Sequence, residues 1–380
     1  MQEFDISIDR IDKIPVPLLV VGLGGTGCDA LKMVKHTFAE RYNLPLDSKG
    51  KQASAPIKTA YLGIDSISQR PEEFETNEYL DITVPGMDTI MAHQATMLTP
   101  EERTWVNHDL RHAASGIGMG TVRQAGRLAV CRNYDKISNG IQAALTSIVA
   151  TVEGASNSLV NSVEVAVITG IGGGTGSGIF LDIAQIIRHV GRGVTTLPIR
   201  ITGYIVMPDV SLANVAAAPG MENIIKHNGY AALKELDFWM RVKQHEIPYE
   251  MKYTAQDSIK WDNPPFDNCV LMSCSNVRGI PYKNGYEAVL HTIAENLLHY
   301  MAAEDVAAQG GIKQAYSYRQ YEDNLSRINP HKSKPVLYGY RAIGAFTKRI
   351  PKQPILFYEG KLLLETFIPL RDKQGIMQPD

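Results

Sequence analysis

The most constraining feature of the chain is a run of glycines between a strand-like segment and a helix-like one. Residues 170–178 read GIGGGTGSG, with five glycines in the last seven positions. Before them, VEVAVITG (163–170) is rich in β-branched residues and predicts a strand buried on both faces. After them, IFLDIAQIIRHV (179–190) repeats apolar residues at helical spacing. Strand, glycine turn and helix form the unit from which α/β folds with parallel sheets are built.

Such a glycine run suits the binding of phosphate. Consecutive glycines let several backbone N–H groups point at one anion, and a helix start adds partial positive charge. Thr175 and Ser177 add hydroxyl donors, so the segment predicts a cradle for a di- or triphosphate. The alternative is a strand-to-helix turn that happens to be rich in glycine, but a turn needs fewer glycines than these. No lysine follows as in a Walker loop, so nucleotide charge would rest on backbone dipoles and magnesium.

Glycines cluster in two further windows, 22–27 and 116–126, and these together with 170–178 hold 14 of the 32 glycines. PVPLLVVG (15–22) predicts a buried strand, which GLGGTG (22–27) and a helical pattern follow. IKTAYLGIDS (57–66) predicts a second buried strand that ends beside an acidic residue. ASGIGMG (114–120) is another glycine loop, ahead of a long predicted helix at about 121–150. The first part of the chain therefore predicts a parallel α/β domain that carries several glycine loops.

The remaining segments predict further strands and helices, and a change of pattern near 245–265 predicts a domain boundary. Residues 71–112 resemble an insertion, and 45–56 a polar loop. The other predicted elements are a strand at 201–210, a helix at 226–244, a strand at 267–275, a helix at 286–306, a strand at 336–350 and a helix near 353–368.

Composition excludes several classes of protein. The 38 basic and 40 acidic residues give a net charge of −2. The sequence has no basic stripe with interleaved aromatic residues, which disfavours binding of nucleic acid. The four cysteines form no CxxC pair, so reduced thiols are expected rather than a zinc site or disulfides. No apolar stretch reaches the roughly 18 residues of a membrane span, and the start does not resemble a signal peptide. These features predict a cytoplasmic protein.

The motifs, in this order, resemble those of the tubulin and FtsZ superfamily. GGGTGSG (172–178) is similar to its signature, and VVGLGGTGCDAL (20–31) resembles its first phosphate loop. GIDS (63–66) is similar to the second loop, and GIGMGTVRQAGRLA (116–129) to the third. The agreement covers residues 15–245 and is best with divergent bacterial tubulin-like proteins.

The resemblance implies a fold and a division into domains. The fold would be α/β, with a Rossmann-type parallel sheet flanked by helices, a long central helix and a smaller α+β second domain. Residues 15–245 would form the GTP-binding domain, including the central helix at 226–244. Residues 246–380 would form a reduced or truncated activation-type domain.

The resemblance also implies a function. The protein would bind GTP or GDP with Mg²⁺ and assemble head to tail with itself into filaments, with nucleotide at the subunit interface and with further protein partners unknown. One alternative is a GTP-binding switch or scaffold that does not polymerise and acts through partner proteins. A second is an NAD-dependent enzyme, which is disfavoured because Asp47, near the expected acidic position, lies in a polar loop.

The implied nucleotide site draws on each loop, and Asp65 would hold the metal. Asp29 stands where FtsZ has asparagine. Asp209 would approach the ribose, and Asn228 would read the guanine edge or, alternatively, cap a helix. Asn214 competes with Asn228 for the contact to base or ribose. The full set is Gly24, Gly25, Thr26, Cys28, Asp29, Asp65, Ser66, Gly116, Gly118, Met119, Gly120, Gly172, Gly173, Gly174, Thr175, Gly176, Ser177, Asp209, Asn214 and Asn228.

No residue is assigned to hydrolysis. In the family, an N-x-D pattern after the central helix completes the active site of the neighbouring subunit, and no clean N-x-D follows residue 245. Asn284 and Glu287 are the nearest imitation, with Glu295 and Asp305 as alternatives, and each also suits a solvated helix charge. GTPase activity is therefore expected to be weak or dependent on a partner.

Overall fold

The computed structural model describes residues 17–41, 59–107, 119, 121–153, 162–214, 220–242, 249–254, 256–275, 278–308 and 340–342. All of them belong to one unit of the chain, residues 1–343. The predictions for 45–56, for 353–368 and for most of 336–350 lie outside the described residues, as do Gly116, Gly118 and Gly120.

Strands and helices alternate along most of the described chain. In order they are β1 (Leu18–Leu23), α1 (Gly24–Arg41), β2 (Thr59–Asp65), β3 (Tyr79–Asp81), α2 (Met87–Ala92), α3 (Gln94–Met97), α4 (Arg123–Arg132), α5 (Tyr134–Glu153), β4 (Val163–Gly170), α6 (Thr175–Val194), β5 (Ile199–Val206), α7 (Pro208–Asn214), α8 (Met221–Met240), β6 (Glu250–Lys252), β7 (Ser258–Lys260), β8 (Asn268–Met272), α9 (Gly285–Ala308) and β9 (Tyr340–Ala342). Short 3₁₀ helices lie at Thr76–Glu78 and Glu102–Thr104. Among the described residues, no helix is long and apolar enough to cross a bilayer.

Seven strands form one parallel sheet in the order β3-β2-β1-β4-β5-β8-β9, and β6 pairs with β7 in a separate antiparallel hairpin. The predicted α/β fold, a parallel sheet flanked by helices, is confirmed. From β1 the chain adds strands on one side, and from β4 it adds them on the other. The order therefore reverses between β1 and β4, which makes that place the topological switch point of the sheet.

Both faces of the sheet are buried, which explains the continuous apolar runs of its central strands. In β1, Leu19 and Val21 face a core shared with α4, α5 and α6. Leu18 and Val20, on the opposite face, join a core shared with α1 and α9. Helices therefore cover both faces of the sheet. A ligand can approach at the edge formed by the carboxyl ends of the strands.

The single helix predicted at about 121–150 is wrong, because α4 ends at Arg132 and α5 begins at Tyr134. Asn133 lies between them and donates from its side-chain amide to the carbonyl oxygens of Ala129 and Ile82. The bond to Ile82 ties the junction between α4 and α5 to the segment after β3. The strand predicted at 201–210 is also shorter, since β5 ends at Val206 and α7 follows at once.

The sheet continues beyond the domain boundary predicted near residue 245. β8 pairs with β5 from Thr202 and Asn268 to Val206 and Met272, and β9 pairs with β8. α9 then packs against the sheet in the core that α1 shares. Helix α8, predicted as the central helix between two domains, thus lies in the chain between two strands of one sheet.

Candidate functional site

Two glycine-rich segments meet at the switch point of the sheet. The first loop (residues 22–27) spans the end of β1 and the start of α1, and the main loop (residues 170–178) spans the end of β4 and the start of α6. β1 and β4 pair in parallel, so their carboxyl ends reach the same edge of the sheet. Ligands of open α/β sheets bind in the crevice outside this edge, where the strand order reverses. The segments predicted as phosphate loops therefore flank that crevice.

Several glycines are required because the loops touch each other through their backbones. Gly24 has a φ of +65°, and a Cβ added there would lie 2.7 Å from the nitrogen of Gly176. A Cβ on Gly176 would lie 2.8 Å from the oxygen of Leu23. A Cβ on Gly126, in α4, would lie 2.8 Å from the oxygen of Gly174. These contacts admit no side chain, so the first loop, the main loop and α4 form one closely packed layer.

Gly25 and Gly173 differ from these glycines because both are exposed. A Cβ added at either position would meet nothing within 4 Å. One lies in each loop, in the first turn of α1 and just ahead of α6. Open space beside bare backbone at two helix starts is the geometry that an approaching phosphate requires, so the residues present fit such a group.

Residues from three loops form a hydrogen-bonded network under this surface. Oδ1 of buried Asp65 accepts a hydrogen bond of 2.7 Å from the backbone nitrogen of Ser66. The hydroxyls of Ser66 and Thr175 lie 2.7 Å apart. The nitrogen of Met119 donates to the Ser66 hydroxyl at 3.1 Å. The structure thus brings together Asp65, Ser66, Met119 and Thr175, as the sequence predicts for one site.

Asp65 also fits a magnesium ligand. Burial raises the pKa of this carboxyl to about 6, against the lowering effect of hydrogen bonds from Ser66 and Thr175, and the charges of Asp29 and Asp81 raise it further. A carboxylate that is costly to ionise alone is stabilised by a cation, and Mg²⁺ binds through one or two carboxylates plus substrate phosphates. In the described part of the chain, no group of three or more His, Cys, Asp or Glu side chains could hold a metal ion.

Cys28 and Asp29, at the end of the first loop, have structural partners. Cys28 is buried like the other three cysteines, and burial raises its pKa well above the usual value. Asp29 accepts from Lys32 Nζ at 3.1 Å and, through its other oxygen, from the hydroxyl of Tyr286 at 2.8 Å. Tyr286 belongs to the first turn of α9, and no motif in the sequence pointed to it. Contact between residues so far apart in the chain leaves no local pattern.

Asn228 lies beside the glycine loops, in a different part of its helix from the one predicted. α8 begins at Met221 with Gly220 at the cap position, so the alternative of a capping asparagine is wrong. Nδ2 of Asn228 donates to the carbonyl oxygen of Thr121 at 2.8 Å and to that of Gly172 at 3.1 Å. Contact between Asn228 and a base stays a prediction.

Asp209, in the first turn of α7, binds the segment after β8. Its Oδ2 accepts hydrogen bonds from the hydroxyl of Ser273 at 2.5 Å, from the nitrogen of Cys274 at 3.0 Å and from its thiol at 3.2 Å. Asn214 is exposed at the end of the same helix. Roles for Asp209 and Asn214 at a ribose or base stay predictions.

The candidates for hydrolysis lie on or just before α9. Asn284 has a φ of 52°, and Glu287 is exposed in the first turn. Glu295 is buried, with its carboxylate 3.9 Å from Nδ1 of His291. The side chain of Asp305 lies outside the described residues. Glu295 is therefore not the solvated charge that the alternative interpretation expects.

One family model and several solved structures are similar to this chain. The model of a family described as tubulin-like matches residues 19–368. CetZ from Methanosaeta thermophila is 13% identical, with 76% of this chain and 54% of that chain covered and a TM-score of 0.42. A GTPγS-form protofilament of TubZ from Bacillus thuringiensis serovar israelensis is 13% identical, with coverage of 76% and 57% and a TM-score of 0.40. An empty FtsZ dimer from M. jannaschii is 16% identical, with coverage of 81% and 60% and a TM-score of 0.38.

The chain thus spans less than two thirds of the length of each of these solved structures. No curated protein matches it.

Proposed function

Because the chain belongs to the tubulin-like family, within the tubulin and FtsZ superfamily, we propose that it binds GTP and GDP and assembles head to tail into filaments. The nucleotide lies at the interface between successive subunits in this proposal. The glycine loops bind its phosphates, and the next subunit covers it.

The observation that carries the proposal is the pair of glycine loops at the switch point. Gly25 and Gly173 leave open space on either side of the crevice, while Gly24 and Gly176 hold the two loops together. α1 and α6 both begin here, so the positive ends of two helix dipoles meet at one place. An anion at this place gains from both dipoles. A strand-to-helix turn that was merely rich in glycine would not need both the open space and the two helix starts.

Mg²⁺ supplies positive charge beside the phosphates when it is bound. Asp65 is the residue of this chain that would hold it, since burial disfavours the lone carboxylate. The backbone nitrogen of Ser66 donates to Asp65, and the Ser66 hydroxyl is hydrogen-bonded to that of Thr175, so Asp65 is held relative to the main loop. Hydrolysis is expected to be weak or to depend on a partner, because no clean N-x-D pattern follows residue 245.

Nucleotide binding is tested with the purified chain and a fluorescent GTP analogue, in competition with GDP, ATP and NAD. We expect guanine nucleotides to compete best and Mg²⁺ to strengthen the binding of GTP. Gly173→Ala places a methyl group in the open space of the main loop and is expected to weaken GTP binding at least tenfold, about 1.4 kcal/mol. Gly193→Ala, also with nothing within 4 Å, is the matched control away from the loops.

Unchanged GTP affinity in Gly173→Ala would contradict binding at the main loop. Assembly is tested separately by sedimentation and light scattering with GTP and with GDP. Pelleting that requires GTP supports filaments. Tight GTP binding without pelleting would instead favour the switch or scaffold. Preferential retention of NAD would overturn the proposal that the chain binds a guanine nucleotide.

A further inference from the structure

Helix α8 packs closely against the main loop and against the start of α7, and one glycine makes each contact possible. A Cβ on Gly172 would lie 2.8 Å from Cγ2 of Ile225. A Cβ on Gly229 would lie 2.1 Å from Cγ of Pro208, at the start of α7. Both positions must lack a side chain for the helix to lie where it does. The close approach brings the short side chain of Asn228 within reach of the backbone of the loop.

The amide of Asn228 joins two different loops through their carbonyl groups. Nδ2 donates to the oxygen of Thr121, in the segment that precedes α4, at 2.8 Å. It also lies 3.1 Å from the oxygen of Gly172 and 3.4 Å from that of Gly173, both in the main loop. An amide nitrogen carries two hydrogens and accepts none, so it can bind only hydrogen-bond acceptors such as these carbonyl oxygens. Asn228 therefore keeps the oxygen of Gly172 on the side of the loop that faces α8, and it shares the oxygen of Gly173 with the hydroxyl of Ser177, which also donates to it.

The orientation of a carbonyl group decides where the neighbouring N–H group points. In a planar trans peptide, the C=O of one residue and the N–H of the next point in opposite directions. Holding the oxygens of Gly172 and Gly173 towards α8 therefore turns the N–H groups of Gly173 and Gly174 away from it. Within the described residues, neither of these N–H groups donates a hydrogen bond. They are available to an anion.

A second contact fixes α8 along the same face. Glu235, two turns beyond Asn228, accepts from both terminal nitrogens of Arg123, at 2.9 and 2.6 Å. Arg123 opens α4, and its Nη2 also donates to the oxygen of Ser177 in the first turn of α6. α8 is thus bound to the starts of both α4 and α6. The Asn228 amide is held in register with the loop.

We propose that Asn228 is a positioning residue of the phosphate cradle, which holds the carbonyl groups of two loops away from the anion. This inference rests on the proposed function, since it assumes that a nucleotide phosphate binds the main loop. It assigns Asn228 a role at the backbone of the protein and not at the base. The two roles make different predictions for a ligand that has phosphates but no base.

The experiment compares Asn228→Ala and Asn228→Asp with the wild type, and His227→Ala, an exposed neighbour, is the control. GTP, inorganic triphosphate and guanosine each compete against a fluorescent GTP analogue. Asn228→Ala is expected to weaken GTP and inorganic triphosphate by the same factor, about tenfold, and to leave guanosine unchanged. Asn228→Asp keeps the shape but turns donors into acceptors that face carbonyl oxygens, so a larger loss is expected. Urea unfolding of each variant is measured in parallel.

A loss for GTP without a loss for inorganic triphosphate would overturn the inference, because it would make Asn228 a base contact. An equal loss for guanosine, in step with a loss of stability, would also overturn it, since that marks a general structural role. If Asn228→Asp does not fold, Asn228→Ala carries the test alone. Failure of the wild type to bind either GTP or inorganic triphosphate would reject the proposed function itself. Wild-type binding with unchanged variants would reject only the role of Asn228.

Discussion

At the scale of single residues, the glycines of the loops fall into two groups with different roles. Gly24 and Gly176 are needed because backbone meets backbone, so any side chain there would separate the first and main loops. Gly25 and Gly173 have room around them and are free to serve a ligand. The distinction cannot be read from the sequence, where GLGGTG and GGGTGSG present all their glycines alike.

A matched pair of substitutions separates the two groups. Gly24→Ala places a Cβ on a residue with a φ of +65° and against the backbone of Gly176, so we expect it to lower the free energy of unfolding by about 2 kcal/mol or more. Gly25→Ala, one residue on, is expected to change stability little while it weakens GTP binding. Urea unfolding and nucleotide titration measure both. Equal loss of stability in the two variants would contradict the distinction.

Asp65 makes stability depend on pH. Its pKa in the folded protein is about 6, above the ordinary value of 3.8, so the folded state binds more protons between these values. Stability therefore falls as pH rises through about 4 to 6, and the ionised carboxylate costs at most about 3 kcal/mol at neutral pH. Asp65→Asn is expected to stabilise the protein by up to this amount at pH 7.5, without nucleotide or Mg²⁺.

Near pH 4 the advantage of Asp65→Asn is expected to shrink to less than about 1 kcal/mol, because the wild-type carboxyl is then protonated in the folded state and partly protonated in the unfolded state. Urea unfolding of the two proteins at both pH values measures the difference. A constant difference at the two values would show that charge at Asp65 is not its cause.

At the scale of strands and helices, the sequence predicted most where the chain is buried on both sides. β4 coincides with the predicted VEVAVITG because all its residues are buried, which gives an unbroken apolar run. β3 was hidden in the presumed insertion at 71–112, since three residues paired with β2 carry no periodicity. The break at Asn133 and the contacts of Tyr286 and Asn228 depend on distant partners. The local sequence pattern thus predicts the loops of the site. The residues that hold these loops in place are determined by tertiary contacts, which the sequence pattern does not show.

The β6–β7 hairpin is attached to α4 and α6 through a buried carboxylate. Asp182 accepts a hydrogen bond of 2.8 Å from the hydroxyl of Tyr253, and its other oxygen lies 3.9 Å from Nε of Arg127. Tyr253→Phe removes a donor from this buried charge, so we expect a loss of about 1–3 kcal/mol in the free energy of unfolding. Tyr230→Phe, on an exposed side chain, is the control. Equal stability of the two variants in urea would contradict a role of Asp182 in holding the hairpin.

At the scale of the whole molecule, β8, β9 and α9 lie after the boundary predicted near residue 245 but belong to the same sheet and core as the residues before it. β8 covers the edge of β5, and Leu290, Ile293 and Leu297 of α9 lie in the core that α1 shares. Removing them would expose a strand edge and an apolar face together.

A fragment of residues 1–245 is therefore expected to aggregate or to lose cooperative unfolding. A fragment of residues 1–343, which retains β8, α9 and β9, is expected to keep both solubility and cooperativity. Size-exclusion chromatography and urea unfolding compare the two. A monomeric 1–245 fragment with a cooperative transition would establish 15–245 as a domain of its own.

The buried thiols allow cysteine labelling to report on the protein. All four cysteines are buried, and burial raises the pKa of Cys274 to about 11 and that of Cys131 to about 12. Thiols that are neither accessible nor ionised react slowly with maleimides, so one cysteine introduced on the surface would carry a fluorophore against a silent background. Cys28 lies in α1 directly after the first loop, and its slow modification would report how often this part of the site opens. A nucleotide that closes the loop would slow this reaction, which makes occupancy measurable without any label on the ligand.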